Sequence, residues 1–84
     1  MSDAKVYRYI SVFEKAGEAY VMDIPFVSQP TLQLLREMFS SGADDPMYDE
    51  YPIDAQIAKR LAPFIRKPLD LERFEYFLSC DEAV

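Results

Sequence analysis

Asp70-Leu71-Glu72-Arg73-Phe74-Glu75-Tyr76-Phe77-Leu78-Ser79-Cys80 admits two readings, and the architecture follows from which one holds. Leu71, Phe74, Phe77 and Leu78 are spaced like one face of a helix. Phe74, Tyr76, Leu78 and Cys80 alternate as a strand does, and periodicity alone does not separate the two in so short a run. The rest of the chain supplies the argument. Val6-Tyr7-Arg8-Tyr9-Ile10-Ser11-Val12-Phe13 is rich in β-branched and aromatic residues and reads as a strand. Val6, Ile10 and Val12 fall on one side, and Tyr7, Tyr9 and Phe13 on the other. Glu14–Glu18 forms a turn in which Gly17 can take positive φ, and Ala19–Ile24 returns as a second strand stopped by Pro25. A two-stranded sheet is marginal alone. We therefore expect Asp70–Arg73 to turn and Phe74–Cys80 to join the hairpin as a third strand.

Two helices are expected between these strands. Ser28 reads as an N-cap with Pro30 in the first turn, followed by the stripe Leu32, Leu35, Met38 and Phe39. Ser40-Ser41-Gly42 ends that helix. Residues 43–53 carry two prolines and four acids and read as a loop. Asp54 caps a second helix with Ile57, Ala58 and Leu61 inward. Pro63 ends or kinks it near Ala62, and Phe64 and Ile65 still pack inward. The sum is an α+β domain of order ββααβ, residues 1–84 as one unit, with both helices on one face of a small sheet.

Composition narrows the chemistry. The 84 residues are 50% apolar, 29% charged and 14% aromatic, a globular balance. Cys80 is the only cysteine and histidine is absent. Those counts exclude Ser-His and Cys-His catalysis, zinc fingers and an internal disulfide framework. Gly17 and Gly42 are the only glycines, so no phosphate-binding fingerprint exists. No run approaches a membrane span, and Met1–Lys5 lacks a leader's apolar core. With one free thiol, the expected compartment is the cytoplasm. We expect recognition rather than catalysis, with no cofactor and no metal.

Net charge is −6, with residues 1–42 at −1 and residues 43–84 at −5. Such a field repels nucleic acid and favours a basic partner. Its densest segment is Asp44-Asp45-Pro46-Met47-Tyr48-Asp49-Glu50-Tyr51-Pro52-Ile53-Asp54, with five acids in eleven residues and no base. Carboxylates so spaced can imitate a phosphate backbone, and tyrosines give large contact area at low entropic cost. The candidate partner-binding residues are therefore Asp44, Asp45, Tyr48, Asp49, Glu50 and Tyr51, with Glu72, Glu75, Asp81 and Glu82 as possible helpers. A solvated loop whose acids serve the second helix dipole is the competing reading. A calcium loop lacks its glycine and is stiffened by Pro46 and Pro52. Lys59, Arg60, Arg66 and Lys67 read as outer-face decoration with stems on the core edge. Cys80 reads as a small core or semi-exposed thiol without a group to activate it.

Two segments carry a resemblance: Asp44–Ile53, of the type DDPMYD-YP, and Leu69–Leu78, of the type DLE-F-YFL. On these the chain resembles a family of small acidic bacterial proteins and looks like an immunity protein of a bacterial toxin system of the contact-dependent growth inhibition type. The resemblance implies one-to-one neutralisation of a cognate toxin domain, as a monomer entering a 1:1 heterodimer, with no catalytic residues. Charge complementarity makes a basic ribonuclease, tRNA-cleaving or other nuclease, the expected target, since nuclease clefts are basic to hold phosphates. The alternative is a general interaction or regulatory module of a bacterial cytoplasmic complex.

Overall fold

In the computed structural model the described residues are 5–42 and 44–83; the expectations for Met1–Ala4 and for the Glu82 side chain lie outside them. The Phe74 segment is a strand. Four strands, β1 (Lys5–Glu14), β2 (Tyr20–Pro25), β3 (Tyr51–Pro52) and β4 (Phe74–Ala83), form an antiparallel sheet in the order β2-β1-β4-β3. Two helices, α1 (Leu32–Phe39) and α2 (Ala55–Leu61), complete an α+β fold, with a 3-10 turn at Ala62–Phe64. This is the expected ββααβ order with one small strand added.

The register sorts every side chain by face. Ile10 lies opposite Leu78, Val12 opposite Tyr76, and Ile24 opposite Ile10. These meet Leu35 and Met38 of α1 and Leu61 of α2 in one buried core. Both helices thus cover the face that carries the even-numbered residues of β1. Tyr7, Tyr9 and Phe13 point the other way, with Phe77 of β4 beside them, and among the described residues no helix shares that face.

Three local expectations need correction. Thr31, not Ser28, caps α1: its Oγ1 accepts from Leu34 N at 3.1 Å. Pro30 lies before the cap rather than in the first turn, and it keeps Gln29 out of helical space, so the helix starts only after it. Residues 43–53 are not loop throughout, because Tyr51 and Pro52 pair with Leu78 and Phe77 as β3. Proline is tolerated there because an edge strand has one side without partners. Ile53 N then continues onto Tyr76 O at 2.9 Å.

Other signals read as expected. Asp54 Oδ1 accepts from Ile57 N at 2.8 Å and caps α2. Gly17 takes φ 93° in the hairpin turn, followed by Glu18 at φ 56°. At Asp70–Arg73, Asp70 Oδ1 accepts from Glu72 N and Phe74 N bonds Asp70 O, closing the turn into β4. A register shift beside Val12 and Phe13 leaves Val21 unopposed, and Tyr20 then faces Phe13.

Candidate functional site: an acidic loop and an uncovered sheet face

The loop between α1 and β3 is pinned from within. Met47 is 1% exposed and sits at φ 55°, so one apolar side chain anchors the segment in the core. Asp45 holds the backbone around it. Its Oδ1 accepts from Met47 N at 2.8 Å, and its Oδ2 accepts from the Tyr51 hydroxyl at 2.8 Å. Two arginines take the carbonyls: Arg36 Nε donates to Asp45 O at 2.6 Å, and Arg8 Nη2 to Pro46 O at 2.8 Å. The Cys80 thiol lies under the loop, 3.4 Å from Tyr48 O. Burial pushes that thiol up despite the opposing Arg8 charge, so it is not an activated nucleophile.

This divides the six expected binding residues. Asp45 and Tyr51 are half-buried and bonded to each other, and their work is to shape the loop. Asp44, Tyr48, Asp49 and Glu50 remain exposed, Tyr48 to 59%. The signal for Asp45 was present in the sequence: an aspartate that bonds the amide two residues on is an Asx turn. Charge counting alone treated it as one more surface acid.

The Asp45–Tyr51 pair has a pH signature. The Asp45 carboxyl is held below its ordinary range, first by the Met47 amide and then by the Tyr51 hydroxyl. The Tyr51 phenol is pushed up to about 12, chiefly by its bond to Asp45. A phenol raised above its unfolded value of about 10 stabilises the fold fully below that pH, and the contribution is lost as pH rises through the folded value. The lowered Asp45 acts in reverse: its contribution is present above about pH 4 and is lost as pH falls through the depressed value. Titration of phenolate absorbance is expected to show a phenol ionising near pH 12 that Tyr51→Phe removes. An unchanged alkaline end in that variant would refute the pairing.

Glu50 connects the loop to the uncovered sheet face. Its Oε2 accepts from Ser79 Oγ at 3.2 Å, and Ser79 Oγ lies 2.8 Å from Ser11 Oγ. A hydroxyl has one proton, so with Ser79 donating to Glu50, Ser11 donates to Ser79. Both serines are buried, at 5% and 4% exposure, although among the described residues no helix lies above them. Aromatic neighbours shelter them. Tyr7 and Tyr9 stack at 5.7 Å, and Phe13 meets Phe77 edge-on at 5.7 Å and Tyr20 at 5.8 Å. Acids frame these rings: Asp23 lies opposite Ser11, Asp81 opposite Tyr7, and Glu75 opposite Phe13. Burial, and then the Asp81 carboxylate, raises the Tyr9 phenol, and the exposed Tyr20 phenol is raised by slight desolvation followed by Asp23.

The open face is therefore aromatic and acidic at once; its tyrosines were legible in the sequence as one sheet face and the next candidate interface, whereas the acids beside them come together only on folding. Of the expected helpers, Glu75 and Asp81 belong to it, whereas Glu72 lies in the turn before β4. Lys59, Arg60, Arg66 and Lys67 are exposed on α2 and beyond it, as expected. Among the described residues, no three acids or cysteines group to hold a metal ion, and no helix is long and apolar enough to cross a membrane.

No curated protein matches this chain. A family model described as "Domain of unknown function (DUF7683)" matches residues 7–79, from β1 through both helices and into β4. The match takes in the pinned loop and the open face as far as Ser79, and the chain belongs to the DUF7683 family.

Proposed function

We propose that this protein is an immunity protein, which binds a basic toxin domain of the ribonuclease type and neutralises it one-to-one in the cytoplasm. The observation that carries this reading is the pinned loop. Asp44, Asp49 and Glu50 project from a backbone already fixed by Met47, Asp45, Arg8 and Arg36. Acids presented on a fixed backbone lose little freedom on binding, which favours affinity. They also meet a basic cleft with complementary potential, which speeds encounter and rejects acidic partners. Tyr48, exposed among them, supplies the aromatic anchor that such interfaces use.

Viability tests the proposal. A basic domain encoded by a neighbouring gene, taken as the candidate toxin, is induced in cells with and without this protein. We expect growth arrest with the domain alone and restored growth on co-expression. Arrest despite a stable complex between the two would instead favour a regulatory module that binds without neutralising.

A further inference from the structure

Beside the Phe13–Phe77 pair the open face holds a cavity of about 220 Å³, lined by these two rings and by Glu18, Glu50 and Glu75. The three acids come from three places: the hairpin turn, the loop before β3, and β4. The turn presents Glu18 from a left-handed backbone, and the serine chain tethers Glu50. The outward residues of β1, β2 and β4 with described side chains include no lysine or arginine, and the nearest bases, Arg73 and Lys15, lie just past the strand ends. Lys15, one residue past β1, has its ammonium on the Leu71 carbonyl oxygen. The face is thus an unpartnered sheet surface with an aromatic floor and an acidic rim.

We propose that this sheet face docks a cationic segment of the partner protein, with one arginine or lysine head seated between the Phe13 and Phe77 rings and the three glutamates. The assignment rests on the reading of a basic partner given above and extends it from the loop to the adjoining sheet face, with Glu50 shared between the two. A cation within about 6 Å of a ring centroid is attracted by the ring quadrupole. Carboxylates around it take the N–H donors in charge-assisted bonds. The aliphatic stem of either side chain lies along apolar surface while its head stays polar, which suits neighbours such as Tyr20. A second copy of this chain is a poor occupant, because two molecules of net charge −6 repel.

The test uses the intact protein and a tetra-arginine amide peptide, followed residue by residue by amide and aromatic-ring NMR shifts. We expect saturable shifts at Phe13, Glu75, Phe77 and Glu50, absent with the uncharged tetra-citrulline peptide. Phe77→Leu is expected to weaken binding by about two- to fivefold, the range of an exposed cation–π contact. Glu75→Gln, which perturbs the strand less, is expected to weaken it as well. Shifts confined to Asp44 and Asp49 would overturn the sheet-face assignment while leaving the acidic-loop reading intact. Equal response to the citrulline peptide would overturn it too. So would shifts at the same residues on concentrating the protein alone, which would give the face to a second copy.

Discussion

Met47→Ala is expected to destabilise the fold by about 2–5 kcal/mol, the range for truncating a buried Met, Leu or Ile to Ala. At 84 residues the whole domain is worth roughly 4–13 kcal/mol at the usual 0.05–0.15 kcal/mol per residue. The variant should therefore melt on the order of 10–30 °C lower. The cause is specific. Met47 is 1% exposed although Pro46 and Tyr48 on either side are exposed, so one side chain holds an otherwise solvated loop to the core. Its left-handed φ of 55° opposes this by roughly 1–2 kcal/mol, which burial of the side chain offsets at roughly 1.5–3 kcal/mol. Met47→Gly separates the two effects. Glycine relieves the backbone, so that variant should be no worse than Met47→Ala despite its smaller side chain. Tyr48→Ala, one residue on, should change stability by no more than about 0.5 kcal/mol. Thermal or urea unfolding checks all three. An unaltered midpoint in Met47→Ala would mean the loop is not pinned by the core.

The parts of this fold that were legible in the sequence are those with a local, periodic cause. β-branched and aromatic alternation gave β1 and β2, and Gly17 marked their turn. The ambiguity at Phe74–Cys80 was resolvable because a hairpin alone is too small a sheet, and the central place of β4 beside β1 follows from that need. What escaped has non-local causes. β3 is two residues long and half proline, so no pattern announces it; it exists because β4 offers a free edge. Thr31 displaced Ser28 as the cap because both are good caps and the proline between them decides.

The candidate site divided along the same line. The acid-rich segment was visible as composition, but composition cannot tell an acid that builds a loop from one that the loop displays. Asp45 and Tyr51 satisfy each other six residues apart, and only Asp44, Tyr48, Asp49 and Glu50 are left for a partner. The sheet-face cavity was less visible still. Tyr7, Tyr9 and Phe13 were legible as one side of β1, yet Glu18, Glu50 and Glu75 are far apart in the chain and meet only after folding.

If the displayed acids steer a basic partner, neutralising three of them should act chiefly on the association rate. Asp44→Asn, Asp49→Asn and Glu50→Gln together remove three negative charges from a chain of net charge −6 while leaving the Asp45–Tyr51 clamp in place. Charge steering raises association rates by about 10- to 1,000-fold. The triple variant should therefore bind roughly tenfold more slowly at low salt. Tyr48→Ala should act on the other rate: losing an aromatic anchor worth about 2 kcal/mol raises dissociation roughly thirtyfold. The direct measurement is stopped-flow association of wild type and triple variant with the partner domain from the viability experiment, from low salt to about 1 M, where screening shortens to about 3 Å. We predict a steep salt dependence for the wild type, a shallow one for the variant, and convergence of the two at high salt. Superimposable curves at every ionic strength, from variants that melt like the wild type, would contradict the claim that this loop is the binding surface.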